Sequence, residues 1–210
     1  TKRWVIFPKL SYQAHINIEA RNEELAKVFS QYKRNLLIPA EDSCKELKKG
    51  IATGGFNYTY VTEAMADLGQ LRELKVSTPH PFPEQLVVEF LTGLEEVLCI
   101  EELDPVIERE LIYIAGKYHL PVKILGKLSH HVKNSGENTR DSVLADIAAF
   151  MGRQLPEQGE DGQAVPVPEL PVRPPVLCAG CPHRASFYAV KKAMQGRKTI
   201  FCGDIGCYTM

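Results

Sequence analysis

From Gly50 onward, short apolar runs alternate with amphipathic stretches, the pattern of βαβ units and a mostly parallel sheet. The run "KGIATGG" predicts a strand entering a glycine turn. "FNYTYVTEAMADLG" then predicts a helix with Val61, Ala64, Met65 and Leu68 on one face and Gly69 as its stop. "LRELKVST" predicts a second strand, "PHPFP" a turn and "EQLVVEFLTGL" a helix. In "EEVLCIEEL" the unbroken series Val97, Leu98, Cys99, Ile100 predicts a strand buried on both faces, hence the middle of the sheet. Asp104 and Pro105 have the chemistry of an N-cap and a first helical residue, and Ile107, Leu111, Ile114, Ala115 and Tyr118 predict the buried face of the helix that follows. "LPVKILGKLS" predicts a fourth strand. Val143, Leu144, Ile147, Ala148 and Met151 give the inner face of a further helix ended by Gly152.

Upstream of this region the periodicity predicts one helix over residues 16–32, and "NLLIPAEDSCKELKKG" reads as a connection. Residues 154–176, "QLPEQGEDGQAVPVPELPVRPPV", are Pro-rich and acidic without periodicity, so they predict an extended linker. After it a new element begins, with a helix opening at Pro182 and an apolar strand at "KTIF". The chain starts with Thr rather than Met and stops within a few residues of "GDIG", and it is expected to be a piece of a longer protein.

Composition narrows the function classes. A chain of 210 residues with 44% hydrophobic content can bury one substantial core with an appended element. The formal net charge of -1 removes the electrostatic case for nucleic acid or an acidic membrane as partner. No run of eighteen apolar residues occurs and the N-terminus lacks a signal-peptide core, so a cytoplasmic location is expected. Of six cysteines, Cys178, Cys181, Cys202 and Cys207 crowd near the end, which favours reduced thiols available as ligands over a disulfide framework.

Several motifs invite chemistry. Gly54 and Gly55 follow a strand, where backbone N–H groups can cradle an anion. They lack both the G-x-G-x-x-G spacing and a Walker lysine, so a tight structural turn is the expectation. Glu101 and Glu102 end a buried strand, where paired carboxylates serve acid–base work, cap the next helix or bind a cation; a structural use is expected. His130 and His131 lie in a polar loop without metal spacing and are expected to be solvated.

"CAGCPHR" differs in kind. Two thiols two residues apart, Cys178 and Cys181, can chelate one metal or two corners of a cluster. Gly180 removes bulk at the bend and Pro182 starts a helix. "FCGDIGC" adds a third sulfur, Cys207, in a glycine turn with Asp204 and Gly206. Three thiolates are one short of the four ligands that zinc or a [4Fe-4S] cluster usually takes. On residues alone, an iron–sulfur site, structural zinc and a redox or incidental pair all remain open.

"PPVLCAGCPHRASFYAVKKA" followed by "GDIGCYTM" resembles the large (alpha) subunit family of indolepyruvate ferredoxin oxidoreductases, within the thiamine-dependent 2-oxoacid:ferredoxin oxidoreductase superfamily. "TGGFNYTYVTEAMADLG", "LKVSTPHPFPEQLVVEFL" and "VLCIEELDPVIERELI" resemble its transketolase C-terminal-like domain, and "RNEELAKVFS" the helical connection before it. The resemblance implies a three-layer α/β/α fold with a mostly parallel sheet. Its expected divisions are a helical connection over 1–49, the transketolase C-terminal-like domain over 50–153, the linker over 154–176 and the start of a thiamine diphosphate-binding domain over 177–210.

It further implies thiamine diphosphate, Mg2+ and [4Fe-4S] clusters as cofactors, held mostly by regions outside this chain. Cys178, Cys181 and Cys207 match the cluster ligands of related members, whose fourth cysteine has no counterpart here. In the indolepyruvate branch the clusters are ascribed to a C-terminal ferredoxin-like region. Asp204, Gly206, Cys207 and His183 match positions beside the cofactor, with Arg184 next to His183; no catalytic residue is assigned. The implied reaction is oxidative decarboxylation of an aryl 2-oxoacid to its acyl-coenzyme A, with ferredoxin taking the electrons and a smaller beta subunit as partner. The chain by itself is expected to be inactive. The alternatives are the same chemistry on pyruvate or 2-oxoglutarate, a zinc-binding module, and an assembly role for residues 50–153.

Overall fold

A computed structural model describes residues 7–155 and 177–202, in two compact units, Thr1–Glu157 and Gln158–Met210. The first unit is built on a five-stranded sheet of order β1-β3-β2-β4-β5. Its strands are β1 (Leu36–Ile38), β2 (Lys49–Gly54), β3 (Arg72–Val76), β4 (Glu96–Ile100) and β5 (Lys123–Leu125). All neighbours run parallel except β1, which pairs antiparallel with β3 through Leu36↔Lys75 and Ile38↔Glu73.

Helices cover both faces, giving the expected three-layer α/β/α arrangement. α3 (Asn57–Leu68) and α6 (Arg140–Met151) bury Val61, Met65, Ile147 and Met151 against Ile51, Leu98 and Ile100. On the other face α4 (Glu84–Leu91) and α5 (Val106–Lys117) bury Phe90, Leu111 and Ile114 against Ala52, Leu74 and Cys99. The alternation along β2 and β4 thus sends successive side chains to opposite cores, and both faces are apolar because both are covered. α6 has the capping geometry that its sequence lacks as a textual signal: Thr139 and Ser142 cap each other reciprocally, and Gly152 ends the helix at φ 69°.

Several expectations need correction. The middle strand is β2; β4 is interior but one place off centre. Residues 36–38, read as a connection, form edge strand β1, and the short helix α2 (Asp42–Lys45) follows. Three residues are too few for alternation to register, and Pro39 closes the run at once. Tyr118 is 44% exposed rather than buried, because it falls at the C-cap of α5, where its hydroxyl donates to Glu84 instead of entering the core.

α1 spans Pro8–Ser30, beginning eight residues before the periodic stretch, with Pro8 fixing the first turn. None of its residues is buried. Its end is pinned by Asn35, whose Nδ2 donates to Phe29 O at 2.8 Å and to Thr78 Oγ1 at 2.7 Å while Oδ1 accepts from Ser77 N at 2.7 Å. In the second unit the described residues form one helix, α7 (Pro182–Ala193). "KTIF", expected as a strand, has no strand pairing; Ile200 is 91% exposed. A strand exists only when a neighbour accepts its ladder, and no partner lies among the described residues of this unit.

Glu73 on β3 is 1% exposed, with Oε1 unpartnered and Oε2 receiving only Gln70 Nε2 at 3.3 Å. Burial pushes its carboxyl above the usual carboxylate range. A raised folded-state pKa favours folding while the group is protonated, and that contribution is lost as pH rises through the raised value. Glu73→Gln, which keeps the shape and removes the charge, is expected to raise Tm at neutral pH and to flatten the fall in stability above the ordinary carboxylate range. Thermal melts of both proteins across pH 4 to 8 check this; equal slopes would refute it.

Candidate functional site

The carboxyl ends of β2, β3 and β4 converge where the chain leaves β2 toward α3 on one face and β4 toward α5 on the other. This is the topological switch point at which open α/β sheets form a crevice. The β2 end is closed by glycine for a steric reason. A Cβ on Gly54 would lie 2.8 Å from both Val76 O and Ile107 Cδ1, so only glycine lets β3 and α5 approach this closely. Gly55 then turns at φ 60°, and Phe56 takes the N-cap position of α3 without a side-chain cap. The structural-turn reading of the glycine pair therefore holds, with a close packing contact added.

At the β4 end the carboxylate of Glu101 is the cap of α5. Ile107 N–H donates to Oε2 at 2.8 Å and Glu108 N–H to Oε1 at 3.0 Å, and the Cys99 thiol lies 3.6 Å from Oε1. The expected cap, Asp104, is displaced: Pro105 takes the N-cap position at ψ 67°, and the first-turn amides face back to the strand end. Structural use of Glu101 is thus the observed one. Burial raises its carboxyl above the usual range although the two amides oppose that rise. Burial foremost, then the Glu101 charge, pushes the Cys99 thiol well up, so this buried cysteine is chemically inert.

Asn138 joins the third connection to these two. Its Nδ2 donates to Asn57 Oδ1 at 2.9 Å and to Glu101 O at 3.4 Å, and its backbone N–H donates to Glu102 Oε1 at 2.9 Å. Asn57 is 1% exposed. Between these elements lies an open crevice of about 600 Å³, whose polar lining includes Asn57, Lys75, Ser77, Glu102 and Asp104. Sequence reasoning missed Asn57, Asn138 and Lys75. Asn57 and Asn138 are 81 positions apart, and neither carries a local signature. His130 and His131 are exposed, as expected.

In the second unit, Gly180 bends the chain at φ 76°, and Cys181 N–H donates to Cys178 O at 3.1 Å. Cys181 occupies the N-cap of α7 and Pro182 its first turn, so the expected helix mouth is present. Cys178 is exposed, Cys181 half-exposed, and both are free thiols. The Cys181 Sγ lies 3.4 Å from His183 Nδ1, and the His183 and Phe187 rings sit 6.1 Å apart. Such a turn suits a chelating thiol pair, with room for further ligands at the exposed Cys178. Among the described residues no group of three or more His, Cys, Asp or Glu is placed to hold a metal ion. Asp204, Gly206 and Cys207 lie outside the described residues, so the expected third sulfur is not placed.

Glu101→Ala leaves two first-turn amides of α5 without acceptors and is expected to cost about 2–4 kcal/mol, at roughly 1–3 kcal/mol per unsatisfied buried group. Asn138→Ala should cost less, because the Glu101 cap survives. Urea unfolding of the three proteins checks the order; a Glu101→Ala loss below that of Asn138→Ala would contradict the assignment of Glu101 as the cap.

No protein-family model matches the chain. The indolepyruvate oxidoreductase subunit IorA of Methanothermobacter thermautotrophicus is 39% identical over 201 residues, covering 93% of this chain and 30% of the relative. The IorA of Pyrococcus abyssi is 37% identical over 214 residues, all of this chain and 32% of the relative. The IorA of Archaeoglobus fulgidus is 34% identical over 167 residues. The chain spans about a third of the length of the curated relatives it matches. No helix among the described residues is long and apolar enough to cross a membrane.

Proposed function

Because the chain belongs to the family of indolepyruvate oxidoreductase IorA subunits, we propose that it is an internal segment of an oxidoreductase subunit acting on an aryl 2-oxoacid. The acid, with indolepyruvate as the type, is oxidatively decarboxylated to its acyl-coenzyme A and the electrons pass to ferredoxin, in a cytoplasmic complex with a smaller subunit. What supports this reading is similarity that runs through the whole chain, the cysteine turn included.

Residues 50–153 form the transketolase C-terminal-like scaffold, joined through residues 1–49 to an upstream domain. Residues 154–176 link it to the first part of the cofactor domain, residues 177–210. Thiamine diphosphate, anchored through Mg2+ by regions outside this chain, supplies the electron sink that lets carbon dioxide leave. This chain's share is binding and positioning. Cys178 and Cys181, already on one tight turn, serve with Cys207 as thiolate ligands of a [4Fe-4S] cluster near the cofactor. Gly206 allows close backbone approach to the cofactor beside Asp204. His183 and Arg184, in the first turn of α7, offer hydrogen-bond donors to an anionic carboxylate or diphosphate.

The testing experiment is anaerobic viologen reduction by the full-length subunit with its small partner, given thiamine diphosphate, coenzyme A and indolepyruvate, pyruvate or 2-oxoglutarate in turn. Fastest turnover is expected on indolepyruvate. Preference for pyruvate would keep the chemistry and change the substrate, and no reduction by a folded, metal-loaded preparation would overturn the reading. In the same full-length protein, Cys178→Ala with Cys181→Ala is expected to lower iron and acid-labile sulfide together by about one cluster. Unchanged iron would remove the cluster assignment, and equimolar zinc without sulfide would replace it with a structural zinc.

A further inference from the structure

The switch-point crevice has a donor wall and an acceptor wall that the fold itself leaves unused. On the donor side, α3 opens without a side-chain cap, whereas α5 is capped by Glu101 and α6 by Thr139. In the first position of α3, Asn57 is 1% exposed and lines the crevice. Asn138 holds its Oδ1, and its Nδ2 has no acceptor. A buried amide left this way is costly unless something supplies the missing acceptor. Lys75, at the end of β3, brings a cation to the same lining, its ammonium 4.5 Å above the Tyr58 ring.

On the acceptor side, both Glu101 oxygens are taken up by α5. The second oxygen of Glu102 and the exposed carboxylate of Asp104 have no partner among the described residues. The rest of the lining adds Ser77 and the apolar surface of Phe56, Val76, Pro79, Val106 and Ile107. A bare anion is repelled by the two carboxylates. A molecule that carries an anion at one end and hydroxyl donors a few ångströms away satisfies both walls.

We propose that this crevice binds a nucleotide. Its phosphate oxygens accept from Asn57 Nδ2, the α3 amides ahead of Thr59, whose own N–H donates to Phe56 O, and Lys75. Its ribose hydroxyls donate to Glu102 and Asp104, and its base lies on the apolar wall. A helix N-terminus, an amide and a cation are a recurrent phosphate receptor, and carboxylates are the usual partners of ribose hydroxyls. A volume of about 600 Å³ falls within the range of small-molecule sites. The nucleotide is either free or the nucleotide portion of a larger cofactor such as coenzyme A. The coenzyme A alternative rests on the proposed oxoacid reaction and the free-nucleotide one does not; the test reads binding alone.

The test is isothermal titration of the whole chain with ADP, adenosine, inorganic phosphate and coenzyme A. ADP is expected to bind saturably and at least about tenfold more tightly than adenosine or phosphate alone. Asn57→Asp keeps the acceptor for Asn138 and suits a helix N-terminus, so it should fold with an unchanged or higher Tm while weakening ADP about tenfold or more. Lys75→Ala should weaken ADP about fivefold and reduce the salt dependence of binding. Asp104→Asn should weaken ADP without changing the response to phosphate. Coenzyme A binding more tightly than ADP, and competing with it, identifies the larger cofactor; the reverse order identifies a free nucleotide. Absence of saturable ADP binding by the unaltered chain overturns the proposal, as does unaltered ADP affinity in both folded Asn57→Asp and Lys75→Ala.

Discussion

The carboxylate of Glu101 is the point on which the first unit turns. It sits at the end of an interior strand, 5% exposed, and satisfies two amides that the following helix cannot satisfy for itself. Burying a carboxylate is unfavourable in isolation, and its raised pKa records that cost. Two amide donors and the positive end of α5 oppose that cost, so the carboxyl is kept where a hydrophobic residue would leave a helix end bare. The same residue's carbonyl receives Asn138, and Asn138 in turn fixes Asn57. Three strand-to-helix connections are thereby locked to one another, which gives the crevice between them a defined shape rather than three independent loops.

The first unit carries this crevice at the carboxyl ends of its interior strands, its walls held in place because both faces of β2 and β4 are packed. The second presents a thiol pair at the mouth of α7, with Phe187, Tyr188 and Val190 of that helix all substantially exposed. Among the described residues of this unit, α7 buries none of its side chains.

Much of the scaffold was legible because its signals are local. Four parallel strands and the helices between them follow from apolar runs and 3.6-residue faces, and Val61, Ala64, Met65 and Leu68 all proved buried. What failed to show was either too short or dependent on a distant partner. β1 is three residues long, "KTIF" has no neighbouring strand among the described residues, and Tyr118 left its predicted face because the helix ended one residue before it. In the candidate site the cysteine turn was legible through spacing and glycine, as Gly180 at φ 76° bears out. Asn57 and Asn138 were not, since an asparagine in a loop or a first turn looks the same whether solvated or buried.

The sequence by itself determined the alternation of strands and helices around a mostly parallel sheet, the positions of the glycine turns and the family, because periodicity, missing side chains and extended similarity are properties of neighbouring residues along the chain. Only the tertiary structure decided that Glu101 rather than Asp104 caps α5, that Gly54 is required by Val76 and Ile107, and that Asn57, Lys75 and Asp104 meet across one crevice. Those outcomes depend on distances between residues far apart in sequence, which are set by how strands register and helices pack, and no local pattern encodes them.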